Sequence, residues 1–315
     1  MNDKSLCPVM RIKGLLSMDH AIDQILTRTD SQPTYDRRIK NQKSKSYRDK
    51  FTMTAFTHSS GQHLSVDDAE IYFEIIGNPM GSPLLLLHGG LGNLTDFNGI
   101  VGQLASEFRL IGVDFRGHGK STLGKSRLTY QRYQADVDAI LAHLNIDYFS
   151  ILGFSDGGIT ALRMAAETPA RIKGLVAVAA QSQMEADDPL LPMLSGVTAD
   201  FWEIRFPDAV SYYRENNPEP DFDALIKSVV SLWTNIKHSA YPGNLIKQIT
   251  AQTLLVRGDE DHLCSLKCIA ELQDQIKGSA FLNIPYAGHE VYKDSPVLFM
   301  EVVHDFLINQ IPKTC

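Results

Sequence analysis

Leu84-Leu85-Leu86-Leu87 runs without a polar break from Pro83 to the turn His88-Gly89-Gly90, and runs of this kind recur along the chain. A continuous apolar run bounded by turn residues marks a strand buried on both faces, whereas alternation marks a strand with one wet face. Leu84–Leu87, Leu110–Asp114, Tyr148–Leu152, Leu175–Ala180, Thr253–Val256 and Phe281–Ile284 therefore predict parallel strands. Gln62–Val66 and Ala69–Ile76 predict two antiparallel edge strands, with Asn78-Pro79 closing the pair. Helices are expected at Asp96–Ser106, Tyr130–Leu144, Ile159–Glu167 and Pro296–Ile308, the second carrying Tyr133, Val137, Ile140, Leu141 and Leu144 on one face. Strand and helix in alternation imply an α/β fold, a doubly wound and mostly parallel sheet covered on both faces.

The alternation stops between residues 181 and 248. That interval holds no buried-strand run, contains both tryptophans, Trp202 and Trp233, and carries the helical stripe Phe222, Leu225, Ile226, Val229, Val230, Trp233. So long a stretch without structure is improbable inside a domain, so an inserted helical cap is expected there. The expected organisation is a basic extension over 1–52, a core over 53–180 and 249–315, and the cap over 181–248.

Composition narrows the function classes. The 315 residues are 43% hydrophobic and 21% charged with a net charge of −7, which argues against a nucleic-acid footprint. No stretch reaches the eighteen consecutive apolar residues of a membrane span. Cys7, Cys264, Cys268 and Cys315 form neither a disulfide framework nor a C-x-x-C pair, so a reducing, cytoplasmic setting is expected. Residues 1–52 differ: eleven Lys and Arg against six Asp leave them at +5 and the remainder at −12. Because a targeting peptide is poor in acids, the segment reads as an outer helix, or as a leader upstream of a start at Met53, ahead of a targeting or partner-binding arm.

The chemistry centres on Gly153-Phe154-Ser155-Asp156-Gly157-Gly158 at the end of an apolar run. The pattern G-x-S-x-G is that of a nucleophile elbow, where the strand turns so sharply into a helix that a Cβ at Gly153 or Gly157 would clash. The Asp156 N–H then points from a helix N-terminus toward an anion forming beside Ser155. Serine needs a base, and the base an orienting acid. Further on, Gly258-Asp259-Glu260-Asp261-His262 follows one buried run, and Ala287-Gly288-His289 follows another. Ser, then Asp, then His, each at a strand end, is the chain order of the α/β-hydrolase triad.

Residues 61 to 310 resemble the α/β-hydrolase family, through His88-Gly89-Gly90, Asp114-x-Arg116-Gly117-His118-Gly119-x-Ser121, Gly153-x-Ser155-x-Gly157-Gly158, Gly258-x-x-Asp261 and Gly288-His289. The resemblance implies Ser155 as nucleophile, His289 as general base and then acid, and Asp261, ahead of Asp259, as the group holding the His289 tautomer. His262 and His304 are the alternative bases. It implies a second oxyanion donor at the N–H of Gly90 or Leu91, with His88 bracing that turn and Arg116 and His118 locking the turn below. Asp156 after the serine is similar to the biphenyl-hydrolase-like (valacyclovirase) branch, which implies that its carboxylate receives a substrate α-amino group; the alternative is a pairing that stiffens the elbow. Leu91, Trp202 and Trp233 are the other candidates for the substrate pocket.

The expected activity is a serine hydrolase cleaving a small ester, an α-amino acid ester included, or a thioester, lactone or amide. Alternatives on the same residues are perhydrolase or haloperoxidase-like chemistry, C–C bond hydrolysis, and a non-catalytic ligand-binding member of the fold. A small molecule is the only partner expected, with no nucleic acid, membrane or cofactor. A metal held by His88, His118 and His289 lacks any close ligand pair and is not expected.

Overall fold

Five of the six apolar runs become inner strands of one sheet, while the sixth, Phe281–Ile284, forms an edge strand in which only Ile284 is buried. In the computed structural model, which describes residues 54–237 and 240–311, the strands are β1 (Gln62–Val66), β2 (Ala69–Gly77), β3 (Ser82–Leu87), β4 (Phe108–Val113), β5 (Phe149–Phe154), β6 (Ile172–Val178), β7 (Gln252–Gly258) and β8 (Ala280–Ile284). The expected extension over 1–52 lies outside the described residues. The sheet order is β1-β2-β4-β3-β5-β6-β7-β8. β3 through β8 are mutually parallel, while β2 runs antiparallel to both β1 and β4. Leu84 to Leu87 are fully buried in β3, as the unbroken leucine run requires.

Of the first two strands only β1 lies at an edge, and β8 forms the opposite edge of the sheet. The expectation of two edge strands fails for β2, which docks on β4 through pairs such as Ile75 with Ile111. Its alternation is real, yet Ile71, Tyr72, Phe73 and Glu74 are all buried. Asp67 and Asp68 join β1 to β2, Asp67 at a positive φ of 51°, so Asn78-Pro79 does not close that hairpin but leads from β2 toward β3.

The helices are α1 (Asn98–Leu104), α2 (Tyr130–His143), α3 (Asp156–Glu167), α4 (Leu190–Ser195), α5 (Ala199–Arg205), α6 (Pro207–Asn216), α7 (Phe222–Trp233), α8 (Leu266–Gln275), α9 (Val291–Asp294) and α10 (Pro296–Asp305). The helix expected at Asp96–Ser106 is split into a short 3₁₀ turn, Leu94–Phe97, and α1. Asn93 and Asp96 form a reciprocal capping box there, which starts the turn two residues early. The helix after the elbow begins at Asp156 rather than Ile159. The last helix ends at Asp305, followed by a π-type segment, Phe306–Gln310.

Between β6 and β7 the chain leaves the sheet to form α4 to α7. On α7 the buried residues are Phe222, Leu225, Ile226, Val229 and Leu232, while Val230 and Trp233 are half-buried. Three polar pegs tie this insertion to the sheet side. Asn217, after α6, donates to the carbonyls of Gly119 and Ser121 at 2.9 Å each. Tyr212 on α6 meets His58 Nδ1 at 2.6 Å, and His58 Nε2 meets the buried Asp114 at 2.7 Å. The third peg joins Trp233 to Asp156. No helix among the described residues is long and apolar enough to cross a membrane.

Candidate active site

From β3 the chain moves outward to β4 and then returns to the other side of β3 as β5. Such a switch of direction opens a crevice at the carboxyl ends of the two strands, the usual ligand position in open α/β sheets. Leu87 at the end of β3 is in register with Gly153 of β5. The His88-Gly89-Gly90 turn and the Ser155 elbow therefore stand side by side. β7 and β8 run parallel to β5, so the Asp261 and His289 loops emerge at the same end.

Ser155 sits at φ 51° and ψ −116°, a strained conformation for a residue with a side chain. Its N–H is held by the Val178 carbonyl at 2.9 Å, and its own carbonyl accepts from Ile159 at 2.8 Å. A Cβ on Gly157 would stand 2.0 Å from the Leu87 carbonyl oxygen, and one on Gly153 would stand 2.3 Å from that of Gly157. Only glycine lets the elbow lie this close to β3.

His289 Nε2 lies 3.1 Å from Ser155 Oγ. His289 Nδ1 lies 3.0 Å from both carboxylate oxygens of Asp261. Asp261 Oδ1 also accepts from the amides of Leu263 at 2.8 Å and Cys264 at 2.9 Å. Burial pushes the Asp261 carboxyl up, but the His289 ring and those two amides outweigh it and hold the group below its ordinary value. Burial likewise disfavours a charged His289, and the Asp261 carboxylate overrides it, so the ring's pKa lies above its ordinary value. Phe154 packs on the imidazole at 4.9 Å between ring centres. A serine hydroxyl facing an imidazole, with a buried carboxylate behind it, can pass its proton to the ring as it attacks a carbonyl. Asp259 and His262 are exposed, and His304 is half-buried on α10.

Residues 89 to 92 form a tight turn, closed by the Gly92 N–H on the Gly89 carbonyl at 3.1 Å, with Leu91 at φ 61°. His88 sits beneath it, fully buried. Its Nδ1 meets the Gly89 carbonyl at 2.7 Å and its Nε2 accepts from the Phe115 N–H at 3.0 Å. Burial holds His88 neutral, and burial with the neighbouring His88 ring pushes His118 down to about 3. Arg116 fills the lower turn, bonded to Asp136 at 2.7 and 2.9 Å and to Asp68 at 2.5 Å. Lys293 bridges Glu290 at 2.6 Å and Asp96 at 3.0 Å, joining the histidine loop to the turn after β3. Among the described residues no group of His, Cys, Asp and Glu is placed to hold a metal ion.

Asp156 is 2% exposed. Its Oδ1 accepts from the Tyr130 hydroxyl at 2.8 Å, and the Trp233 indole N–H reaches Oδ1 at 3.0 Å and Oδ2 at 2.9 Å. Burial raises its pKa, and the two neutral donors counter this only in part. The carboxylate is thus engaged by two donors, as expected of a residue that stiffens the elbow. Trp202 packs on Phe206 at 4.7 Å within the insertion, whereas Trp233 reaches the elbow. Motif reading missed Tyr130, Tyr241 and His58. Tyr130 passes as the first residue of an amphipathic helix, and the other two lie outside any motif. A cavity of about 260 Å³, lined by Ser182, Met184, Glu185, Lys237 and Tyr241 among others, contains none of the expected site residues. Tyr241 connects it to the site through its ring contact with Tyr130 at 5.0 Å.

The sheet and the proteins that resemble this chain mark it as an enzyme with the α/β-hydrolase fold. Residues 82–232 match the family model described as alpha/beta hydrolase fold. The uncharacterized hydrolase YugF of Bacillus subtilis (strain 168) is 22% identical over 270 residues, covering 78% of this chain and 97% of that protein. Serine hydrolase BPHL of Mus musculus is 27% identical over 256 residues, covering 78% of this chain and 85% of that protein. The crystal structure of the enol-lactonase from Burkholderia xenovorans LB400 shares the fold at a TM-score of 0.63 and 22% identity, covering 78% of this chain and 99% of that one.

Proposed function

We propose that this hydrolase cleaves small carboxylic esters, lactones among them, through an acyl-enzyme on Ser155. The observation that carries the reading is the unbroken line from Ser155 Oγ through His289 to Asp261, at 3.1 and 3.0 Å. Ser155 Oγ attacks the substrate carbonyl carbon as His289 Nε2 takes its proton, and the carbonyl oxygen becomes an oxyanion. The N–H of Asp156, which as a first-turn residue of α3 has no partner within the helix, and that of Gly90 or Leu91 are the donors for that oxyanion. Collapse breaks the bond to the leaving oxygen, which takes the proton from His289. Water, deprotonated by the same ring, then releases the acid and restores Ser155. Asp261 keeps Nδ1 protonated and steadies the imidazolium. The helical insertion acts as a cap, since Trp233 covers the elbow and restricts water.

Ser155→Ala is the direct test. Hydrolysis of p-nitrophenyl acetate should fall by ~10⁴-fold or more, leaving what the oxyanion donors alone provide. Covalent labelling by a fluorophosphonate should vanish. Retained turnover in a folded variant would overturn the reading.

A further inference from the structure

Trp233 is the last residue of α7, and the buried stripe of that helix fixes where the indole can go. The Tyr241 hydroxyl donates to the Trp233 carbonyl at 2.8 Å and pins the helix end. The indole N–H is shared between the two oxygens of Asp156, and the Tyr130 hydroxyl holds the carboxylate from the other side. An indole held at its N–H by a buried carboxyl group has little freedom to swing away, because leaving would take a donor from buried oxygens. The same ring lies against the turn after β3. A Cβ added at Gly90 would stand 2.7 Å from Trp233 Cζ2 and 2.5 Å from Asp156 Oδ2. Gly90 is glycine because the clasp occupies the space where a side chain would go.

The position of this ring bears on the substrate. Gly89, one residue back, is close enough to the elbow that its Cβ would lie 3.3 Å from Ser155 Cβ. The indole packs on Gly90, the residue next to the one that faces Ser155. Trp233 is only half-buried, so part of the ring is left uncovered by protein. The ring thus stands beside the turn whose amides are the proposed oxyanion donors, where it can meet the acyl group of a bound ester.

We propose that Trp233, clasped by Asp156, is the specificity-determining roof of the acyl site, admitting slender uncharged acyl groups and refusing α-branched or bulky ones. Asp156 is then a positioning residue that holds the roof. Its carboxylate, 2% exposed and bonded to Tyr130 and Trp233, serves the clasp rather than a substrate amine. The inference rests on the serine-hydrolase reading but fails separately from it.

The experiment compares p-nitrophenyl acetate, butyrate and pivalate, together with valine p-nitrophenyl ester, on wild type, Trp233→Ala, Trp233→Phe and Asp156→Asn. Wild-type turnover of acetate that depends on Ser155 secures the parent reading before any ratio is taken. In Trp233→Ala the ratio of kcat/KM for pivalate over acetate should rise roughly 10-fold or more, the scale on which a pocket senses one or two methyl groups. Trp233→Phe keeps a ring but loses the N–H, so its ratio should rise less. Asp156→Asn keeps one acceptor oxygen for the indole, so its ratio should rise no more than that of Trp233→Phe, and the double variant should be no more changed than Trp233→Phe, since both act on one contact. Circular dichroism confirms that each variant is folded, and Trp233→Phe keeps the test open should Trp233→Ala unfold. An unchanged pivalate-to-acetate ratio in Trp233→Ala overturns the roof. A loss in Asp156→Asn confined to the valine ester overturns the clasp in favour of amine recognition.

Discussion

Asp261 and Asp156 are buried aspartates within reach of one imidazole, and their surroundings drive their carboxylates in opposite directions. Asp261 faces an ionisable ring and two backbone amides, and it is held below the ordinary carboxylate range. Asp156 takes its hydrogen bonds from a phenol and an indole, both neutral, the His289 ring acts on it more weakly, and burial leaves it above that range. The difference teaches that burial alone does not assign a role to an acid. A carboxylate opposite a group that can become a cation is poised for proton transfer, while one met only by neutral donors is a strut. The linkage signs follow. Asp261, lowered on folding, contributes stability above its unfolded pKa, and this is lost as pH falls through the folded value. Asp156, raised on folding, contributes stability below its unfolded pKa, and this is lost as pH rises through the folded value.

The comparison can be broken most sharply at Asp261. Asp261→Asn should lower kcat by ~10³–10⁴-fold with little change in KM, because the amide favours the wrong His289 tautomer. Steady-state kinetics on p-nitrophenyl acetate measures it, and a loss under 10-fold would remove the distinction between the two acids. Asp156→Asn should cost the same ester about 10-fold or less, since the backbone N–H that faces the oxyanion survives the change. A loss as large as that of Asp261→Asn would make Asp156 part of the proton relay. The smallest effect lies in the pH profile. The base must be neutral, so kcat/KM should rise with pH through the His289 pKa, which lies above the ordinary 6.5. Asp261→Asn should move the residual activity's acid limb to lower pH. Asp156→Asn should move it the same way by less, because Asp156 acts on the ring more weakly than Asp261 and Glu290 do. Equal displacements would show that the two carboxylates act alike.

The Asp261 side could be read from the chain and the Asp156 side could not, for a physical reason. Ser155, Asp261 and His289 each follow a buried strand, and parallel strands deliver their carboxyl ends to one edge of the sheet, so chain order and glycine-bounded loops suffice to place them together. Choosing Asp261 over Asp259 comes from the resemblance to the family's Gly-x-x-Asp loop, and only Asp261 is buried on the histidine. The partners of Asp156 carry no such marker. Trp233 lies 77 residues away, at the end of a helix whose apolar stripe says that it packs but not where. Tyr130 counts as one more aromatic on an amphipathic face. Trp202 and Trp233 look equivalent in the chain, and helix termini separate them in space. His58 precedes the first strand and joins no motif, yet it links Asp114 to Tyr212 of the insertion.

The three pegs that hold the insertion bear on any attempt to transplant it. Two of them, the Asn217 amide and the Trp233 indole, place donors from the insertion on acceptors of the sheet side, and the third sets Tyr212 on His58. A chimera that exchanged α4 to α7 for a foreign loop would remove all three at once. The carbonyls of Gly119 and Ser121, the His58 ring and the Asp156 carboxylate would then need new partners or open to water. The insertion and the sheet are interchangeable only as a matched set, and the acceptors waiting on the sheet set the terms that a replacement roof must meet.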